Sequence, residues 1–110
     1  MSLNILDYHF HLYYDENTID TAKEVAKELN KLFHVPFHTF HEKPVGPHPE
    51  WSVQLSMSVE QFNESFNWLV LNHKGLTVFC HPNTGNDLLD HSEHAFWIGD
   101  SKKLKVDIFK

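Results

Sequence analysis

Arginine is absent from this chain: all nine basic residues are lysines, against 15 acidic residues, for a formal charge of -6. The guanidinium group is the usual partner of phosphates and guanine edges. An acidic, arginine-free domain is therefore not built to hold nucleic acid. Cysteine is nearly absent too. Cys80 stands alone, which excludes an internal disulfide and makes a reducing cytoplasm the expected setting. A lone thiol of this kind reads as a small buried apolar residue. No apolar run is long enough to cross a bilayer. The opening residues, with Asp7, His9 and His11 among them, do not read as a secretory leader. Repeats, low-complexity tracts and linkers are missing as well, so 1–110 is expected to be one domain with one core.

What the chain has in quantity is histidine. Ten of its 110 residues are histidine, and they come in phrases: His9-Phe10-His11, Gly46-Pro47-His48-Pro49, His81-Pro82 and Asp90-His91-Ser92-Glu93-His94. Imidazole is the commonest transition-metal ligand and the side chain best placed to move protons near neutral pH. The question is which of the ten meet in space.

Patterning supplies a frame. Ile5 to Tyr14 reads as a strand in which Leu6, Tyr8, Phe10, Leu12 and Tyr14 share one face. Asp7, His9, His11 and Tyr13 share the other. Thr18 can cap a helix to about Phe33, with Ile19, Ala22, Val25, Ala26, Leu29, Leu32 and Phe33 as its apolar stripe. Pro36 bars continuation, and Phe37 to His41 reads as a short second strand. Lys43 to Glu50, with three prolines and a glycine, is a rigid connection.

Trp51, Val53, Leu55 and Met57 then alternate with Ser52, Gln54 and Ser56 as a third strand. Ser58 and Gln61 fit a capping box for a second helix, which turns Phe62, Phe66, Leu69 and Val70 inward and stops near His73 and Gly75. Leu76 to His81 is a fourth strand, and Pro82 to Asn86 a turn. A histidine-bearing segment, Ala95 to Ile98, and a terminal strand around Val106 to Phe109 follow.

The order strand, helix, strand, strand, helix, strand predicts an α+β, ferredoxin-like βαββαβ sandwich with an antiparallel sheet and a C-terminal extension. His9, His11, Tyr13, Ser52, Gln54, Ser56, Thr77, Phe79 and His81 would then line the face away from the helices. With the first and third strands taken as parallel, His9, His48 and His81 are expected at one sheet edge. Three neutral imidazoles there would suit iron, zinc, copper or nickel, with positions left open for substrate and oxygen. Pro47, Pro49 and Pro82 would stiffen the backbone around two of them. His34, His38, His41 and His73 have no such context and read as surface or helix-end residues.

The phrases Tyr8-His9-Phe10-His11-Leu12-Tyr13-Tyr14, Gly46-Pro47-His48-Pro49, His81-Pro82-Asn83-Thr84-Gly85 and Asp90-His91 with Trp97-Ile98-Gly99 occur in an order that resembles the DOPA 4,5-dioxygenase family over nearly the whole chain. The resemblance implies a ferredoxin-like fold, usually a homodimer with an α/β barrel-like form. It also implies extradiol cleavage of DOPA or a related small catechol by non-haem iron(II) and dioxygen, with zinc or another divalent metal able to occupy the site.

On that resemblance His9, His48 and His81 are the expected metal ligands, and His11 and His91 the acid/base or orienting groups. Trp51, Phe79 and Trp97 are candidates to flank a substrate ring. Because many non-haem iron sites use two histidines and a carboxylate, Glu50 or Asp7 could replace one histidine. Two other readings stay open: a non-catalytic metal- or ligand-binding dimer module, and a zinc- or nickel-dependent isomerase or hydrolase.

Overall fold

Alternation along Asp7–Tyr14 builds the centre of the sheet. In the computed structural model, which describes residues 5–110, this segment is strand β1. Phe10 and Leu12 are fully buried beneath the helices, while His9, His11 and Tyr13 point to the opposite face, as period two requires. Helix α1 (Ile19–Phe33) follows, then β2 (Trp51–Met57), α2 (Val59–Asn72) and β3 (Thr77–Asn83). A single helical turn α3 (Asp87–Asp90), a short β4 (Phe96–Ile98) and a 3-10 turn at Val106–Phe109 complete the order.

The sheet runs β2-β1-β3-β4 and every pairing is antiparallel. This corrects the expected direction of the third predicted strand, which is β2. Tyr8 pairs with Met57 and Tyr14 with Trp51, so β2 begins where β1 ends. The loop carrying His48 therefore enters from the Tyr14 end, not beside the start of β1. The second predicted strand shrinks to one bridge, Phe37 to Leu55, supported by His38 N to Gln54 O and His41 N to Ser52 O at 3.0 Å each. Pro36 carries no N–H, and that edge of β2 is only partly covered. The terminal strand is also overturned, because Val106–Phe109 winds as a 3-10 turn.

Helix signals fare unevenly. Ser58 and Gln61 form the full reciprocal capping box of α2. Thr18 stands at the α1 N-cap position but makes no cap bond. Its hydroxyl instead bonds Asp15, donating to Oδ1 at 3.1 Å and accepting from the Asp15 N–H at 2.9 Å. Ala22, Val25, Ala26 and Leu29 of α1 and Leu69 of α2 seal the core, with Phe62 and Phe66 packed against it. Val70 does not join them and is 43% exposed. At Gly99, with φ +81, a Cβ would stand 3.3 Å from the Leu76 carbonyl oxygen. Only glycine lets the chain leave β4 so close to that backbone.

Candidate metal centre

The pairing of β1 with both neighbours places the histidines. His9 lies opposite His81 and His11 opposite Phe79 on β3, while Ser56 and Gln54 face them from β2. One ring nitrogen from each of His9, His11 and His81 can be chosen so that all three lie within 4.8 Å of one another. That spacing fits one cation held by three imidazoles. His11 Nε2 and His81 Nε2 are 3.3 Å apart.

The chemistry of this donor set fits a metal in a second way. His81 Nδ1 donates to the Pro82 carbonyl oxygen at 2.9 Å, which fixes the tautomer and leaves Nε2 with a bare lone pair. Burial is the main force on each ring. It pushes the His81 pKa down to about 4, against the opposing pull of the Pro82 hydrogen bond, with His91 and His9 lowering it further. Burial among His48, His81, His9 and His91 holds His11 well below the ordinary value. Half-buried His9 is lowered by burial too, partly offset by Asp7. Three neutral imidazoles are ligands, not cations, at neutral pH.

His48 arrives differently from the expectation. It is buried, and its ring lies 4.2 Å from that of His11, between centroids. It is not one of the three converging nitrogens, and its Nδ1 is 2.8 Å from the Tyr13 hydroxyl. Burial, then His91 and His81, lowers its pKa to about 4. Burial keeps the Tyr13 phenol protonated far above its ordinary range, with Glu50 adding to the effect. The sequence placed Tyr13 on this face without a role; its partnership with His48 depends on the loop's path, which no local pattern encodes.

Aromatic rings close the site. Phe79 is fully buried, with its ring 5.8 Å from His11 and 5.4 Å from His81, and Trp97 packs 4.8 Å from Phe79. His91 lies 4.2 Å from His81, and Phe109 stacks on its far side at 4.4 Å. The residues after β4 are drawn across this face by Lys105 N to Pro47 O at 2.9 Å and by the Lys102–Glu50 ion pair at 3.2 Å. Trp51 stands apart. It pairs with Tyr14 in the sheet and packs on the helix-side core, so it does not border the histidines.

Neither carboxylate alternative joins the cluster. Glu50 is engaged by Lys102, and Asp7 accepts from Asn83 Nδ2 at 2.8 Å. The four context-free histidines are at edges, as expected. His34 and His73 end helices α1 and α2, His38 bonds Ser56 Oγ, and His41 serves the β2 edge through its backbone.

Comparison with known proteins bears on the family. The model of the Dopa 4,5-dioxygenase family matches residues 8–108. A protein named DOPA 4,5-dioxygenase from Amanita muscaria is 31% identical over 111 aligned positions, covering 93% of this chain and 49% of that protein. An uncharacterized 21.2 kDa protein of Botryotinia fuckeliana is 30% identical, covering 94% of this chain and 63% of its own length. The chain thus spans about half to two thirds of these curated relatives. A crystal structure from Nostoc punctiforme, described as a "putative dioxygenase", superposes with a TM-score of 0.92 at 34% identity, covering 94% of this chain and 90% of that one.

Proposed function

Because this chain belongs to the Dopa 4,5-dioxygenase family, we propose that it is a non-haem iron(II) enzyme that opens the ring of DOPA or a related small catechol in the extradiol position. The observation that carries this reading is the convergence of three imidazole nitrogens within 4.8 Å on a face walled by aromatic rings. His9, His11 and His81 would hold the metal. Iron(II) supplies a Lewis-acidic, redox-active centre at which a catechol and dioxygen meet. Both oxygen atoms enter the muconic semialdehyde product, so no external reductant is needed.

The chain's own residues would do the rest. Tyr13 can donate to His48 Nδ1 or accept from it, since a hydroxyl does both. The neutral His48 ring can therefore carry its proton on either nitrogen without acquiring charge, and serve as base toward a catechol hydroxyl and then as acid. His91, anchored by Nδ1 to the Asp87 carbonyl oxygen at 2.7 Å, would keep His81 in place and shield it from water. Phe79, Trp97 and Phe109 would exclude solvent and offer faces to the ring.

Exchanging His11 for His48 in the ligand set is the reading expected from sequence, and metal stoichiometry separates the two. With His9, His11 and His81 as ligands, His11→Ala loses bound iron and His48→Ala keeps it while losing turnover. The same proposal includes a ferredoxin-like homodimer with barrel-like form, in the cytoplasm, with catechol and dioxygen as its small partners and no nucleic acid.

Anaerobic loading with iron(II), followed by DOPA or caffeate and oxygen, tests the reaction. A yellow semialdehyde band with matching oxygen uptake is expected. Iron-loaded protein that turns over no member of a catechol panel would overturn it, and zinc- or nickel-dependent hydrolysis would replace it.

A further inference from the structure

A cavity lies on the helix side of the same sheet, away from the histidine cluster. Its volume is about 350 Å³, and Ile5, Tyr8, Pro82, Thr84, His94 and Phe96 line it. Tyr8 and Phe96 pack against Phe62 and the core aromatics, so most of the lining is apolar. Pro82 is the partition between the two regions: it lines this cavity, and its carbonyl oxygen receives the His81 Nδ1 proton at 2.9 Å.

One polar device opens on this space. Asp90 is 1% exposed and accepts three hydrogen bonds: Thr84 N–H at 2.7 Å, Thr84 Oγ1 at 2.7 Å, and His94 Nδ1 at 2.8 Å. A buried carboxylate with three donors stays ionised. It therefore holds the His94 ring by Nδ1, leaving Nε2 free for a hydrogen-bonding partner on a side chain still 38% exposed. A purely structural Asp90 would be served by Thr84 and any other donor. It would not require that donor to be an imidazole lining a cavity.

We propose that this cavity is a second binding site, taking a small phenol-type aromatic whose ring lies among Tyr8, Pro82 and Phe96 and whose hydroxyl hydrogen-bonds His94 Nε2. The walls favour a flat apolar body. A hydroxyl can bond that nitrogen as donor or as acceptor, and the nearby Asp90 carboxylate and the chain's net charge of -6 disfavour an anion. The inference does not rest on the ring-cleavage reading.

Phenol, toluene and benzoate are the probes, titrated into the full chain and followed by NMR at Tyr8, Phe96 and the His94 ring nitrogens. Phenol is expected to give saturable shifts that include His94 Nε2, and to bind more tightly than toluene or benzoate. His94→Phe should weaken phenol about tenfold, the size of one hydrogen bond, and leave toluene unchanged. His81→Ala should leave phenol binding intact. Equal affinity for phenol and toluene, tighter binding of benzoate, no saturable shift, or loss of phenol in His81→Ala would each overturn the proposal. The wild-type measurements decide it even where His94→Phe does not fold.

Discussion

The two faces of one sheet are made from the same strands, residue by residue, and they obey different rules. On the helix side Phe10, Leu12, Leu55, Val78 and Cys80 are fully buried in a cluster of apolar side chains. On the other side His11 and His81 are nearly as buried, at 5% and 1% exposure, yet they meet imidazoles, a phenol and aromatic rings. Burial on the first face stabilises the fold. Burial on the second works against the charged forms of His9, His11, His48 and His81 and prepares neutral ligands instead.

The largest expected effect breaks the first face. Phe10→Ala should lower unfolding free energy by about 3–5 kcal/mol, the usual result of emptying an aromatic core position, read from urea midpoints at constant slope. His11→Leu, its neighbour on the other face, should leave the metal-free protein within about 1.5 kcal/mol of wild type. Removing a polar group that is buried among its own kind costs little stability while abolishing ligation. Equal losses in the two variants would erase the distinction between faces.

Acid should next single out the histidine face. His48 and His81 have folded pKa values pushed down to about 4, and burial holds His11 well below the ordinary 6.5. The unfolded chain therefore binds more protons than the folded one once pH drops below about 6.5. Stability of metal-free protein is full above that value and is lost as pH falls from 6.5 toward 4. The loss should be on the order of a few kcal/mol across the group. His11→Leu should flatten this dependence, measured as thermal midpoint against pH, whereas Phe10→Ala should shift the curve without changing its shape.

This division between faces was legible in part. Period two on β1 assigned His9, His11 and Tyr13 to one side and Phe10 and Leu12 to the other, because side-chain direction is a local property of a strand. The Ser58–Gln61 box marked the start of α2 for the same reason. Strand direction is not local. The antiparallel pairing of β1 with β2 departs from the parallel arrangement that the element order predicts, and with it the route by which His48 reaches the site. His48 is brought to His11 and Tyr13 by a loop entering from the far end, and Phe109 reaches His91 through a tail whose course follows Lys105 and Lys102. Thr18 fails as a cap because Asp15 competes for its hydroxyl, a choice between two local partners that the pattern alone does not decide.

Tyr13→Phe sharpens the comparison inside the histidine face. It keeps the ring and removes the hydroxyl 2.8 Å from His48 Nδ1, leaving a buried nitrogen without that partner. A loss of about 1–2 kcal/mol is expected, less than at Phe10. The His48 ring resonances should move while those of His81, held by Pro82, remain in place. Movement of both rings alike would mean that the cluster responds as one unit rather than through separate anchors.

The smallest effect belongs to the rim of that face, where water begins to compete. The Gln54 amide donates to His9 Nε2 at 3.3 Å and to Ser56 Oγ at 3.1 Å, and His38 Nε2 lies 2.8 Å from the same Ser56 oxygen. These groups are half-buried or exposed, so water can replace each bond at little cost. Gln54→Ala should therefore change stability by no more than about 1 kcal/mol, well below the Tyr13→Phe loss. Its effect should appear instead at His9, the half-buried member of the three converging histidines, whose Nε2 is bonded by Gln54. Long-range nitrogen-15 spectra should show His9 exchanging between tautomers in Gln54→Ala, with His81 still protonated at Nδ1. A His9 ring that keeps a single tautomer in that variant would mean that its neighbours on β1 and β3, not the β2 rim, prepare it for the metal.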